Sequence, residues 1–110
     1  MKVNEKLVKD TMLSLGHPDH LAGTEYLQIA LGLYEHNCSM TKEIYPGIAA
    51  AAGSTAARVE RCMRHSIETA WSRGSMDAQQ RIFGYTVDPR KGRPTVGEYI
   101  ARVANYCREN

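Results

Sequence analysis

The sequence has few cysteines, and their spacing suits neither a disulfide framework nor a zinc site. Three occur in 110 residues, Cys38, Cys62 and Cys107, and no two of them form a CxxC pair. An odd number argues against a set of disulfides, and His17 and His20 have no cysteine pair at zinc-site spacing. We therefore expect unpaired thiols in a reducing compartment, with no metal and no cofactor.

Long apolar runs are also missing. The longest, around "IAAAA" at residues 48–52, is far too short to cross a bilayer. The first ten residues, "MKVNEKLVKD", contain no apolar signal region. The length of 110 residues and the content of Ile, Leu, Val and Met suit one domain with one modest core. We expect a single domain over residues 1–110, cytoplasmic and without membrane contact.

Strand-like alternation is absent as well, and apolar residues recur instead at helical spacing. Thr41 can cap a short third segment that Pro46 interrupts, Gly74 can end a long helix, and Thr95 can cap the last one. The predicted class is all-α, with about six helices. The predicted helical segments are residues 3–15, 20–37, 42–45, 47–52, 56–73, 75–83 and the chain after Thr95.

Arginine is absent from the first 45 residues and abundant in the rest of the chain. Residues 1–45 carry four Lys against six acidic residues, whereas residues 46–110 carry nine Arg and one Lys against six. Arginine suits bidentate hydrogen bonding to guanine edges and phosphates. The distribution therefore indicates a nucleic-acid partner more strongly than the overall net charge of +2 does.

The segment 56–74, "AARVERCMRHSIETAWSRG", sorts its residues sharply when placed on a helix. One side is apolar or small and the other is dominated by arginine, unlike the Lys and Glu pairs of an ordinary solvated face. Trp71, at the edge of the apolar side, is expected to anchor the core. The apolar side holds Val59, Met63, Ser66, Ile67 and Ala70, and the polar side holds Arg58, Arg61, Arg64, His65 and Glu68.

The residues before this helix supply what a helix-turn-helix requires: a first helix, a small residue at the helix contact, a turn that tolerates positive φ, and recurring apolar anchors. On this interpretation Ser54 or Thr55 caps the second helix. The assigned residues are Ile48 and Ala52 facing inward, Ala49 at the contact, Gly53 in the turn, and Val59 and Cys62 as anchors.

The N-terminal half of the second helix would then enter the major groove of DNA. Arg58 and Arg61 can each donate two hydrogen bonds to guanine O6 and N7, and Glu60 can accept one from a cytosine amino group. Arg64 and His65, one turn on, would meet phosphates or a flanking base. An unpaired carboxylate near phosphates lowers the affinity for DNA. Glu60 therefore makes sense only if it helps to discriminate between bases, and its presence favours sequence-specific binding.

Two other functions remain open at this point. The domain could be an interaction module that binds another protein, such as a longer relative, without reading DNA. It could also be an enzyme, since Cys62 and His65 are three residues apart on a helix and could form a nucleophile and base. No orienting acid or oxyanion donor accompanies that pair, so we expect no enzymatic activity.

The motifs "RVER", "RH", "IE", "AWSRG" and "FGYTV", with "YPGIA" and "KGRPT", cover nearly the whole chain. In these motifs the chain resembles the C-terminal DNA-binding domains of the stage-zero sporulation protein A family of response regulators. The resemblance implies six helices with an embedded helix-turn-helix. It implies binding to TGTCGAA-type promoter boxes as a tandem homodimer, with activation of some genes and repression of others, in a nucleoid-associated protein.

The resemblance also implies roles for particular residues. DNA contacts fall on Arg58, Glu60, Arg61, Arg64 and His65, to which we add Ser54 and Thr55 and, in the basic loop that also holds Arg93, Arg90 and Lys91. A contact with the RNA polymerase sigma subunit falls on about residues 74–87, with Met76, Gln80, Phe83 and Tyr85 as candidates.

The chain also departs from the family's pattern. Ala50, Ala51 and Ala52 stand where relatives carry lysines and a bulky apolar residue, and Ala57 stands where a serine is common. The family's receiver domain has no room within 110 residues. We therefore expect an effector domain, either excised from a longer protein or a stand-alone relative.

Overall fold

The computed structural model describes residues 4–34, 38–84 and 92–109, which form six α-helices and, among those residues, no strand. This confirms the predicted all-α class. None of the described helices combines the length and the apolar character that crossing a membrane requires. The helices are α1 (Glu5–Ser14), α2 (Ala22–Leu33), α3 (Tyr45–Ala52), α4 (Ala56–Arg73), α5 (Met76–Phe83) and α6 (Val96–Glu109), with a π-helical turn, Met40–Ile44, leading directly into α3.

Side-chain caps begin four of these helices. Asn4 accepts from backbone N–H groups of the first turn of α1, Thr55 does so for α4, and Ser75 does so for α5. At α6 the Thr95 hydroxyl accepts from the Glu98 N–H over 3.1 Å, while the Glu98 carboxylate accepts from the Thr95 N–H over 2.8 Å. This reciprocal pair is a capping box, and it confirms the predicted start of the last helix.

Three predicted boundaries need correction. The third segment is capped by Ser39 and not by Thr41, because the Ser39 hydroxyl accepts from the Lys42 N–H over 3.1 Å. Helix α3 begins at Tyr45 and not at Gly47, because Pro46 lies in its first turn, where a missing N–H is tolerated. The second helix ends at Leu33 because Tyr34 has an extended backbone, with ψ at 128°.

Helix α4 runs through the centre of the molecule and packs against α2, α3 and α6. Trp71, half-buried near its C-terminal end, makes edge-to-face contacts with Phe83 and Tyr99, as its predicted role in the core requires. Largest among the fully buried side chains are Tyr99, Met12, Leu15, Leu27, Leu31, Ile48, Met63, Ile67, Ile82 and Ile100.

Helices α2 and α4 approach each other closely at Gly23. A Cβ atom at this position would lie 1.9 Å from the carbonyl oxygen of Cys62 and 2.5 Å from its carbonyl carbon. Only a residue without a side chain permits this backbone contact. Gly23 thus sets how closely α2 holds the helix that carries the arginines.

Candidate nucleic-acid interface

A three-residue turn joins α3 to α4. Gly53 adopts the left-handed conformation, with φ at 65° and ψ at 38°, as predicted for the turn. The N–H groups of Gly53 and Ser54 both donate to the carbonyl of Ala49, which closes the end of α3. The Thr55 hydroxyl then accepts from the Arg58 N–H over 3.2 Å and begins α4.

The residues of α3 and α4 that were predicted to face the core are buried, with two corrections. Ile48 and Ala49 are buried, but Ala52, the last residue of α3, is exposed. Cys62 is only half-buried, so its contribution to the contact with α2 comes from its backbone. The predicted apolar side of α4 is buried throughout: Val59, Met63, Ser66, Ile67 and Ala70 are each at most 1% exposed.

The opposite side of α4 is presented to solvent. Arg58, Arg61, Arg64 and His65 are all exposed, as the helical wheel predicted. Within the described chain, no ion pair or side-chain hydrogen bond engages the guanidinium groups of Arg58 and Arg61. Two cationic groups are therefore available to an incoming ligand without an internal contact being broken.

Glu60 lies among these exposed cationic side chains and interacts with both Arg64 and Tyr45. Its Oε1 is 3.8 Å from Nε of Arg64, with the side chains 34% and 51% exposed. Burial, and secondarily the negative charge of Glu60, raise the pKa of the half-buried Tyr45 at the start of α3. Glu60 thus pairs with Arg64 on its own helix, acts electrostatically on Tyr45 of α3, and carries the only carboxylate on the first two turns of α4.

Two candidate residues are not available as predicted. The hydroxyl oxygen of Ser54 is buried, with no hydrogen-bond partner among the described residues, so it does not face a ligand. Phe83 is 3% exposed, because its ring packs against Trp71 at 5.0 Å and Tyr99 at 5.9 Å between centroids. In this structure, therefore, neither the Ser54 hydroxyl nor the Phe83 ring is exposed for the contact predicted for it.

The other candidates outside α4 divide into two groups. Thr55 is exposed at the start of α4, Met76 is 81% exposed on α5, and Gln80 on the same helix is also exposed. Tyr85, Arg90 and Lys91 lie outside the described residues. The structure thus presents two of the four predicted sigma-contact residues, Met76 and Gln80, on the exposed side of α5.

A network of buried, hydrogen-bonded polar side chains lies behind α4, and the sequence analysis did not predict it. Nδ1 of His17 lies 2.7 Å from the Ser66 hydroxyl, and Nε2 lies 2.7 Å from the Tyr99 hydroxyl. Thr24 on α2 belongs to the same network, with its hydroxyl oxygen 2.8 Å from that of Ser66. Burial lowers the pKa of His17 from its ordinary value of 6.5 to about 4. The one signal in the sequence was a serine, Ser66, on an otherwise apolar helix side.

The three cysteines are free thiols, as predicted. Cys107 is buried, and burial raises its pKa despite a weak hydrogen bond from its sulfur to Thr11. Among residues 4–34, 38–84 and 92–109, no three His, Cys, Asp or Glu side chains cluster closely enough to hold a metal ion. Within that part of the chain, Cys62 and His65 share no hydrogen bond.

A short helix, a turn at a left-handed glycine, and a second helix with its apolar side clamped and its arginines exposed define the helix-turn-helix class of DNA-binding domains. Residues 8–107 match the family described as the sporulation initiation factor Spo0A C terminal, and the chain belongs to that family. It is therefore a DNA-binding, transcription-regulating domain of the sporulation response regulators, with DNA as its partner. The family is a regulatory and not an enzymatic one.

Proposed function

We propose that this domain reads short promoter boxes of the TGTCGAA type through the major groove. Arg58 and Arg61 donate bidentate hydrogen bonds to guanines, and Glu60 accepts from a cytosine amino group. Arg64, His65 and Thr55 contact the flanking backbone. The observation that carries the proposal is the exposure of Arg58 and Arg61, without internal partners in the described chain, on the N-terminal half of a helix whose other side is buried.

Selection of binding sites from random duplexes tests the proposal directly. Recovery of a TGTCGAA-type consensus would support it, and recovery of no consensus would contradict specific reading. We also propose that two copies bind adjacent boxes in tandem. Titration of duplexes with one box, or with two boxes at varied spacing, should show cooperative binding at one preferred spacing only.

Arg61→Ala is expected to weaken binding to the selected box by roughly 1–3 kcal/mol and to relax base choice at one position. The reason is that a bidentate contact to guanine distinguishes that base from the other three. The measurement is a titration of box and randomised duplexes at one salt concentration. Arg73→Ala is the matched control, because it removes an exposed arginine from the last turn of the same helix. Equal losses on both duplexes for Arg61→Ala would contradict the groove assignment.

A second candidate function is contact with the sigma subunit of RNA polymerase through α5, with or without DNA reading. It is favoured by the exposed side chain of Met76, since methionine suits adaptable apolar contacts. The contact would include Gln80 and, five residues farther along the chain, Tyr85.

Arg90 and Lys91, in the loop before α6, are proposed to contact phosphates of the bound DNA.

Met76→Ser is expected to weaken binding to a purified sigma subunit several-fold while leaving affinity for the box unchanged. The residue is exposed, so the substitution should not alter folding. Leu13→Ser is the matched control, because Leu13 is 66% exposed on α1. Binding of sigma with no affinity for any duplex at low salt would favour the interaction module over the DNA reader.

A further inference from the structure

One ion pair joins the segment before α6 to the polar side of α4. Nη2 of Arg93 donates to Oε1 of Glu68 over 3.2 Å, with the two side chains 48% and 41% exposed. Glu68 lies seven residues beyond Arg61, so it occupies the same side of α4 about 10 Å farther along the axis. Arg93 therefore borders the surface that carries Arg61 and His65.

The residues that follow Arg93 restrict the conformation of its backbone. Arg93 precedes Pro94, which is buried, and a residue before proline is restricted to extended conformations. The capping box of Thr95 and Glu98 follows immediately. Glu68 then holds the other end of the side chain, so both the backbone and the guanidinium of Arg93 are held in place beside α4.

The charges of this pair favour an anionic ligand. A lone carboxylate at Glu68 would repel phosphates near the end of the arginine surface, and Arg93 compensates it. A guanidinium has five N–H donors, and Glu68 engages one of them. The remaining donors suit a phosphate oxygen, which arginine binds in charge-assisted hydrogen bonds.

We propose that Arg93 contacts a backbone phosphate of bound duplex DNA and that Glu68 is the positioning residue for its guanidinium. The inference rests on the proposed function, because it requires the N-terminal half of α4 to lie in the groove. A phosphate contact adds affinity for every sequence and no discrimination between bases. Arg93 thus extends the interface from the helix-turn-helix to the segment that precedes α6.

The test is the dissociation constant for a box duplex and a random duplex over a range of salt concentrations. Arg93→Ala should weaken binding to both by the same factor and reduce the slope of log K against log salt by about one. Lys9→Ala removes one positive charge from α1, which packs on α2 and α6, and should leave the slope unchanged. An unchanged slope in Arg93→Ala would overturn the proposal.

Substitutions at Glu68 separate a phosphate contact from simple charge compensation. In Glu68→Gln the amide oxygen still accepts from Arg93 but carries no charge, so Arg93→Ala should again reduce the slope by about one. No effect of Arg93→Ala in that background would mean that Arg93 only screens Glu68, and the contact would be refuted.

Glu68→Ala offers Arg93 no acceptor, so the affinity lost through Arg93→Ala should be smaller there than in Glu68→Gln. Equal losses in the two backgrounds would overturn the positioning role of Glu68. A wild-type domain that binds no duplex would refute the proposed function itself. A domain that discriminates through Arg61 but is insensitive to Arg93 would refute this inference alone.

Discussion

Gly23→Ala is expected to lower the free energy of unfolding by about 3 kcal/mol or more, and with it the fraction of domain able to bind DNA. The added methyl group would lie 1.9 Å from the carbonyl oxygen and 2.5 Å from the carbonyl carbon of Cys62, and both of these atoms belong to the backbone of α4. Backbone atoms cannot rotate away as a side-chain end can. Helices α2 and α4 would have to separate, which would open the core around Leu27 and Met63.

Gly32→Ala is the matched control for this experiment, because it lies on the same helix with nothing within 4 Å of its would-be Cβ. It should be neutral or stabilise the domain by up to about 1 kcal/mol, since alanine favours helix more than glycine does. Urea unfolding followed by circular dichroism measures both. If the two variants unfold at the same midpoint, the close crossing at Gly23 is not as described.

The domain should lose about 3 kcal/mol of stability as the pH falls from 6.5 to 4, through His17 alone. Burial lowers the pKa of His17 to about 4 in the folded protein, against an ordinary value of 6.5. The neutral ring is therefore favoured by folding, and its full contribution is present above pH 6.5. Between the two values the unfolded chain binds the proton first, so stability declines. Below pH 4 both states are protonated and this group adds no further loss.

Unfolding by urea at a series of pH values measures this effect, and His17→Gln should flatten the curve between pH 4 and 6.5. His65→Gln is the matched control, because His65 is exposed and its replacement should leave the decline in place. An NMR titration of the His17 ring in the wild-type domain checks the pKa without any substitution. A ring that titrates near 6.5, or a decline that persists in His17→Gln, would contradict the prediction.

Elements with strong local signals were predicted correctly. Gly53 in the turn, Thr95 as the cap of the last helix and Gly74 after α4 were predicted from residue type alone, because glycine and threonine have specific backbone roles at helix ends. The division of α4 into a buried and an exposed side followed from helical periodicity. The boundary at Ser39 was missed because Ser39 and Thr41, two residues apart, are both of a type that caps helices.

Residues whose roles depend on distant partners were predicted poorly. Phe83 looked like a partner contact because its motif resembled one, yet Trp71 and Tyr99 enclose it. Ser54 looked like a surface hydroxyl beside Thr55, yet it is shielded. His17 lies 49 residues from Ser66 and 82 residues from Tyr99 in the sequence. A local sequence pattern cannot predict a hydrogen bond between residues so far apart.

By itself the sequence determined the helical class, the turn before α4 and the chemical nature of that helix's exposed side. These depend on periodicity and on backbone preferences, which act over a few neighbouring residues. Only the tertiary structure decided that Gly23 must remain without a side chain, that His17 stays neutral behind α4, and that Arg93 meets Glu68. Each of these depends on which helices cross and how closely, and that geometry is a property of the packed core as a whole.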